Sequence, residues 1–264
     1  MNSTRLPGKV LMPVFGKPLL AYALERLQRV ENADSLIVAT SNLTVDDAIA
    51  TFCSDFGVDC YRGSETDVLD RYYQAARSVA AERLVRVTGD CPLIDADVVS
   101  TVIDAFDAAN GIQKMGGQQA ITVDYLSNTL DRTFPRGLDV EIFSFSALEA
   151  AWQEANKADE REHVTPFLYR HPERFRLQQY RQAINRSHLR WTVDTPEDFQ
   201  LISLILNELY PEKPDFTQDN ILQLLDKHPG WLAINAHIEQ KSLDTTNLQE
   251  SSEAVDRLTE DIVR

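Results

Sequence analysis

The sequence is poor in cysteine, poor in positive charge and without any long apolar run. Its three cysteines, Cys53, Cys60 and Cys91, are odd in number and lack the spacing of a metal site. A disulfide between Cys53 and Cys60 stays open as an alternative, but a reduced protein is the better interpretation. No apolar run reaches the length that crosses a bilayer, and the first residues lack the apolar segment of a signal peptide. We therefore expect a cytoplasmic protein that does not contact the membrane.

Acidic residues outnumber basic ones, with 41 Asp and Glu against 26 Lys and Arg, which gives a formal net charge of −15. Because such a chain has no basic surface to follow a phosphate backbone, we expect no nucleic-acid partner. A local group of Arg and Lys in this background is either paired on the surface or directed at an anionic ligand. The 264 residues, 43% of them hydrophobic, suffice for a sizeable core.

Hydrophobic periodicity alternates between helix and strand along the chain. The pattern predicts helices over 18–27, 45–56, 67–81, 95–109, 145–154, 160–169, 196–208 and 217–227. It predicts strands over 35–40, 58–61, 83–88, 121–125, 138–143 and 189–193, with a Gly/Gln-rich loop over 110–119. This order is typical of an α/β protein with a mostly parallel sheet covered on both faces. We expect one domain over 1–241 and a polar, acidic tail over 242–264, either loosely helical or disordered.

The segment STRLPGK contains the first residues with clear chemical potential. A triphosphate needs backbone N–H groups, a glycine that lets the main chain approach, and cations that offset its charge. Ser3, Thr4, Arg5, Gly8 and Lys9 supply all three. The spacing is not that of a Walker motif, so on spacing alone an exposed turn with surface cations is the simpler interpretation.

Two aspartates each follow a predicted strand. Asp90 ends RVTGD and Asp194 ends LRWTVD. Ligands of open α/β sheets collect at the carboxyl ends of strands, where a carboxylate is a natural Mg²⁺ ligand. The alternative for Asp90 is an ordinary turn residue, whereas Asp95 is better explained as a helix N-cap. Capping explains the residues from Thr195 to Asp198 but not Asp194.

The sequence resembles the cytidylyltransferases of surface-sugar biosynthesis, in particular the spore-coat polysaccharide type, which is related to acylneuraminate and 3-deoxy-manno-octulosonate cytidylyltransferases. From Ser3 to about Lys241 the matching segments are, in order, STRLPGKVL, YRGSETDVLDRYYQAA, RVTGDCPLID, SNTLDRTFPRGLDVEIFS, EREHVTPFLYRHPERF and LRWTVDTPEDF. The resemblance implies a Rossmann-like nucleotidyltransferase fold of the glycosyltransferase-A type, with a small β-rich insertion that often mediates dimerisation. It implies transfer of CMP from CTP to a sugar acid with release of pyrophosphate, by a homodimer.

The resemblance also implies roles for single residues. Arg5 and Lys9 would hold the triphosphate and act in catalysis, beside Ser3, Thr4 and Gly8, while the two aspartates named above would bind Mg²⁺.

Ser64 and Arg71 fall where related enzymes approach the base and ribose of the nucleotide. The alternative for Arg71 is a salt bridge with Asp67 on the same helix face.

On the acceptor side, the resemblance draws attention to four residues. Asn128 lies in the segment that we assign to this side, Arg136 could pair with the sugar carboxylate, and Asp139 could bond hydroxyl groups. The alternative for Arg136 is the turn of a hairpin. His163 has a suitable intrinsic pKa for a general base, but it lies in a helical pattern and could only position a partner.

The N-terminus departs from the family pattern. In the family an apolar strand and an Ala-Arg-Met-Gly run precede STRLPGK, whereas only Met1 and Asn2 stand before Ser3 here. We expect the innermost strand to be missing, which leaves a weakly active or inactive homologue as an alternative function. A glycosyltransferase of the same fold is a further alternative, but no Asp-X-Asp triplet ends a predicted strand.

Overall fold

The structure, a computed structural model, describes residues 5–111 and 123–239. The expected tail over 242–264 and most of the expected loop over 110–119 lie outside the described residues. The helices are α1 (Leu19–Leu27), α2 (Asp47–Phe56), α3 (Val68–Ser78), α4 (Ala96–Ala109), α5 (Phe145–Glu154), α6 (Ala158–His163), α7 (Pro166–Tyr169), α8 (Pro196–Leu209) and α9 (Gln218–Lys227). Short 3₁₀ turns cover Lys9–Leu11, Thr44–Asp46 and Pro229–Ala233. None of the helices in the described ranges combines the length and the apolar character needed to cross a bilayer.

In the described residues the strands form three small sheets. They are β1 (Pro13–Val14), β2 (Lys17–Pro18), β3 (Ile37–Ser41), β4 (Asp59–Gly63), β5 (Arg83–Arg86), β6 (Tyr125–Ser127), β7 (Glu141–Ser144) and β8 (Leu177–Gln179). Strands β1 and β2 make an antiparallel hairpin, and β3 pairs with β4 in parallel. The largest sheet has the order β5-β7-β6-β8, in which β7 runs antiparallel to both neighbours and β8 runs parallel to β6.

The α/β class is confirmed. The mostly parallel sheet expected from the sequence is instead a set of separate, mixed sheets, and in the largest of them β7 runs antiparallel to both neighbours. Within residues 5–111 and 123–239, β3 pairs with β4 alone and β5 pairs with β7 alone. Strands β3 and β5 are only half-buried along most of their length.

Helix positions agree closely with the periodicity, which did not predict strands β1, β2 and β8. Two predicted elements also differ. The predicted helix over 160–169 is split between α6 and α7, because Val164 takes φ 74° and ψ −56°, outside the helical region. The predicted strand over 189–193 reduces to one isolated parallel bridge between Arg136 and Arg190. Asp95 is the N-cap of α4, as expected, and accepts a hydrogen bond from the N–H of Asp97 at 2.9 Å.

The largest core cluster lies where α1, α8 and α9 pack against the segment that ends in WTVD. Its largest fully buried side chains are Trp191, Tyr22 and Phe216. Trp191 and Val193 belong to this core, so the polypeptide that leads to Asp194 is anchored by buried apolar contacts. All three cysteines carry free thiols.

Candidate active site

The N-terminal segment forms a tight turn that directs Lys9 inward. Gly8 adopts φ 70° and ψ 7°, a left-handed conformation that favours glycine, and it caps the 3₁₀ turn Lys9–Leu11. The turn is closed by hydrogen bonds from the N–H of Leu11 to the carbonyl of Gly8 and from the N–H of Met12 to the carbonyl of Lys9. Ser3 and Thr4, which the sequence also predicted in this site, lie outside the described residues.

Asp90 and Asp194 are brought together by direct contacts between their two segments. The carbonyl of Asp90 accepts a hydrogen bond from the N–H of Val193 at 2.9 Å and from Oγ1 of Thr192 at 3.2 Å. These bonds fix the loop after β5 against the chain that enters α8. The convergence of the two aspartates, which the sequence could not decide, follows from this pairing.

Lys9 joins the two carboxylates. Its Nζ lies 2.7 Å from Oδ2 of Asp90 and 2.7 Å from Oδ1 of Asp194, and its side chain is 13% exposed. Arg5 adds an ion pair, with Nη2 at 2.9 Å from Oδ2 of Asp194. Four of the residues predicted for the phosphate and metal site therefore form one charged cluster.

Electrostatic contacts favour the charged forms of Lys9 and Asp194. Burial opposes the charged form of Lys9, but the charges and hydrogen bonds of Asp90 and Asp194 outweigh burial and raise the pKa of Lys9. Burial likewise opposes the carboxylate of Asp194, yet Lys9, Arg190 and Arg5 hold its pKa below its usual range. Lys9 and Asp194 therefore stabilise each other's charged form.

Sequence reasoning missed Arg190, which binds the carboxylates of both Asp194 and Asp198. We call this arrangement the clamp. Arg190, only 6% exposed, donates from Nη2 to Oδ2 of Asp194 at 2.7 Å and from Nε to Oδ1 of Asp198 at 2.9 Å. Asp198 is fully buried and also accepts from Nδ2 of Asn235 at 2.8 Å. The capping box of α8 explained Asp198 completely at the level of sequence. An arginine directly before the apolar WTV run was the available signal.

The segment around Gly137 supports the same region from the other side. The N–H of Trp191 donates to the carbonyl of Arg136 at 2.6 Å, and the N–H of Arg136 donates to the carbonyl of Leu189 at 3.0 Å. Arg136 lines a cavity of about 200 Å³ together with residues 187–191 and residues near Asn235. Its pairing with a sugar carboxylate stays a prediction.

Two other residues predicted on the acceptor side have protein partners. The side-chain amide of Asn128, 1% exposed, donates to the carbonyl of Leu138 at 2.7 Å and accepts from the N–H of Val140 at 2.9 Å. Asp139 is paired with the guanidinium of Arg132, with one contact of 2.9 Å. Through these contacts both side chains stabilise the local fold. Their contact with substrate stays an untested prediction.

Ser64 and Arg71, which the resemblance assigns to the nucleotide, contact each other, and their role stays a prediction. Nη1 of Arg71 donates to the carbonyl of Ser64 at 2.9 Å, and burial lowers the pKa of Arg71. The alternative interpretation, a salt bridge between Arg71 and Asp67, is wrong. Asp67 instead forms an ion pair with Arg161 from α6 at 2.5 Å. Arg161 thereby ties the start of α3 to the EREH segment.

His163 stands at a strained turn. The N–H of Thr165 donates to the carbonyl of His163 at 2.9 Å, and this bond, with the positive φ of Val164, defines a γ-turn. Thr165 is in turn held by Glu141, 7% exposed, through a hydrogen bond of 2.6 Å. Burial lowers the pKa of His163, which favours its neutral form.

Glu141 and Arg86 are further polar residues that sequence reasoning passed over. They face each other in the register of β5 and β7 and form an ion pair, in which the glutamate is buried and the arginine is partly buried. Tyr125 on β6 donates to the same carboxylate at 2.6 Å. A charged residue inside an apolar strand, as in RLVRVT, was the signal that could have found this network.

Asp90 and Asp194 fit a divalent cation. One oxygen of each carboxylate lies at the same distance from a single nitrogen, so both already face one point. Carboxylate oxygens are ligands that Mg²⁺ prefers, and one or two suffice when substrate phosphates and water complete the coordination. In the part of the chain that the structure describes, no group of three or more His, Cys, Asp or Glu gathers around a possible metal position.

Comparison with known proteins adds independent information. The sequence profile of a family described as cytidylyltransferase matches residues 1–224. The spore coat polysaccharide biosynthesis protein SpsF of Bacillus subtilis is 32% identical over 236 residues, which cover 87% of this chain and 92% of that protein. A 3-deoxy-manno-octulosonate cytidylyltransferase of Sodalis glossinidius is 28% identical over 223 residues, with 80% and 83% coverage.

Among solved structures, a cytidylyltransferase from Leptospira borgpetersenii matches this fold with a TM-score of 0.81 and 30% sequence identity. The match covers 92% of this chain and 95% of that one. The Rossmann-like nucleotidyltransferase fold implied by the sequence resemblance is thereby confirmed.

Proposed function

This chain belongs to the cytidylyltransferase family, and from that membership we propose that it transfers CMP from CTP to a hydroxyl group of a sugar acid and releases pyrophosphate. The observation that carries the proposal is the cluster in which Lys9 and Arg5 contact Asp90 and Asp194. In this cluster, the lysine and arginine that would bind a triphosphate contact the two aspartates that would bind a divalent cation. The relative named for 3-deoxy-manno-octulosonate supports a sugar acid as acceptor, and the one named for spore-coat polysaccharide supports a sugar.

The proposed reaction is attack by the acceptor hydroxyl on the α-phosphorus of CTP, with pyrophosphate as the leaving group. Arg5 and Lys9 would offset the negative charge that develops on the pyrophosphate. Asp90 and Asp194 would hold Mg²⁺, which when bound would offset charge on the phosphate oxygens and align the reacting groups. Catalysis in this scheme rests on positioning and electrostatic stabilisation.

The remaining predicted site residues complete the proposal. Ser64 and Arg71 would face the base and ribose of the nucleotide, and the close contact between the two supports a shared role. Arg136 and His163 would face the acceptor, His163 as a neutral imidazole held by its strained turn. The homodimer and the location expected from the sequence stay predictions.

A panel of the four nucleoside triphosphates with candidate sugar acids tests this function through pyrophosphate release. We expect CTP to be preferred, and we expect Lys9→Ala and Asp90→Ala to lose most turnover while remaining folded. Lys17→Ala is the matched control, because Lys17 pairs with Glu25, outside the cluster. Release of a nucleoside diphosphate instead would support a glycosyltransferase, and no release with any pair would support a non-catalytic homologue.

A further inference from the structure

The position between Asp90 and Asp194 is taken by the ammonium group of Lys9. Its equal distances of 2.7 Å to the two carboxylates place a single positive charge where the oxygens converge. Across the cluster, the carboxylates of Asp90, Asp194 and Asp198 face the cations Arg5, Lys9 and Arg190. The three negative charges are therefore balanced by three positive ones from the protein itself.

The cluster has few oxygens to spare for a metal. Both oxygens of Asp198 are used by Arg190, and Oδ2 of Asp194 is shared by Arg190 and Arg5. A divalent cation would depend on the oxygens of Asp90 and on Oδ1 of Asp194, and two of these atoms already bind Lys9. Because Mg²⁺ and Mn²⁺ require about six ligands, the remainder has to come from water or substrate phosphates.

We infer that Lys9 is a displaceable counter-ion, so that this protein binds a divalent cation strongly only together with a nucleoside triphosphate. The inference rests on the proposed function of the same cluster. Without nucleotide, Lys9 repels a divalent cation from the two carboxylates. When a triphosphate is present, its oxygens give Lys9 new partners, release Asp90 and Asp194, and supply the ligands that the protein lacks.

Direct titration of Mn²⁺ in the absence of sugar acid tests the inference, with free Mn²⁺ followed by electron paramagnetic resonance. We expect the wild type to bind Mn²⁺ weakly alone and, after the Mn²⁺ held by CTP in a protein-free titration is subtracted, tightly in the presence of CTP. We expect Lys9→Met to bind Mn²⁺ without nucleotide at least about tenfold more tightly than the wild type, since the competing charge is gone. Addition of Asp90→Asn to Lys9→Met should abolish that gain, which assigns it to this site.

Lys17→Met is the matched control, because the same change is made at a lysine that pairs with Glu25 and Tyr210 instead. Its Mn²⁺ affinity should equal that of the wild type. Lys9→Gln, which keeps a hydrogen-bond donor, replaces Lys9→Met if circular dichroism shows that the latter is unfolded.

Equal Mn²⁺ affinities for the wild type and both Lys9 variants would overturn the counter-ion inference, even if CTP proved to be the substrate. The opposite combination separates the two proposals: tighter Mn²⁺ binding by the Lys9 variants, with no pyrophosphate release from any nucleotide by the wild type, supports the counter-ion and counts against the proposed transfer reaction.

Discussion

Gly137 is a position where a single added carbon should be costly. Its φ is 101°, in the region that favours glycine, and a Cβ placed there would lie 2.5 Å from the carbonyl carbon of Trp191 and 2.7 Å from the nitrogen of Thr192. Both are backbone atoms, and Trp191 is held by the hydrogen bond to Arg136. The neighbouring chain therefore cannot move aside as a flexible side chain would.

The expected loss in the free energy of unfolding for Gly137→Ala has two parts, one conformational and one steric. A residue with Cβ in a left-handed conformation costs about 1–2 kcal/mol, and overpacking adds about 1–3 kcal/mol. We therefore expect the free energy of unfolding to fall by about 2–5 kcal/mol, a large share of the roughly 5–15 kcal/mol typical of a domain.

Alanine substitutions at two further glycines distinguish the conformational part of the loss from the steric part. Gly57 has φ 78°, but a methyl group added there would have no atom within 4 Å, so Gly57→Ala should lose only the conformational part, about 1–2 kcal/mol. Gly230 has neither the positive φ nor a neighbour within 4 Å, so Gly230→Ala should change stability by no more than about 0.5 kcal/mol.

Urea unfolding followed by tryptophan fluorescence measures all three variants on one scale. The order of loss should be Gly137→Ala, then Gly57→Ala, then Gly230→Ala. If Gly137→Ala lost no more than Gly57→Ala, the close approach to Trp191 would not be a real constraint, and the support that we assign to the WTVD segment would be wrong.

Three other outcomes are expected. Arg190→Met should lower the free energy of unfolding by about 3–5 kcal/mol in urea, because it leaves the fully buried carboxylate of Asp198 without its cation; a loss below about 1 kcal/mol would contradict the clamp. Burial raises the pKa of Cys53 to about 12, so iodoacetamide at pH 8 should leave this thiol unmodified in the native protein and alkylate it in urea, as read by peptide mass spectrometry. The pKa of His163 is lower in the folded protein than in the unfolded chain, so the native state binds fewer protons and stability should decline as pH falls below about 6.5. His163→Gln should flatten that decline in urea titrations between about pH 7 and pH 5, and an unchanged slope would show that another group is responsible.

Much of the local structure could be predicted because its causes are local. Helix α8 begins where Thr195 and Pro196 place it, with the capping box closed by Asp198. Residues three and four positions apart share a helix face, so apolar spacing gave the positions of the longer helices. The break at Val164 escaped prediction because its neighbours carry a helical pattern, while Thr165 is held by a carboxylate of β7.

The sequence by itself determined the residue types of the candidate site, the helices and the family resemblance, since all of these are written in segments of a few neighbouring residues. Only the tertiary structure decided that Lys9, Asp90 and Asp194 meet, that Arg190 clamps the last of these, and that β3 and β5 belong to separate sheets. Lys9 is 81 residues from Asp90 and 185 from Asp194. Contacts over such separations depend on which strands pair and on how two loops are hydrogen-bonded. Local periodicity in the sequence predicts neither of these.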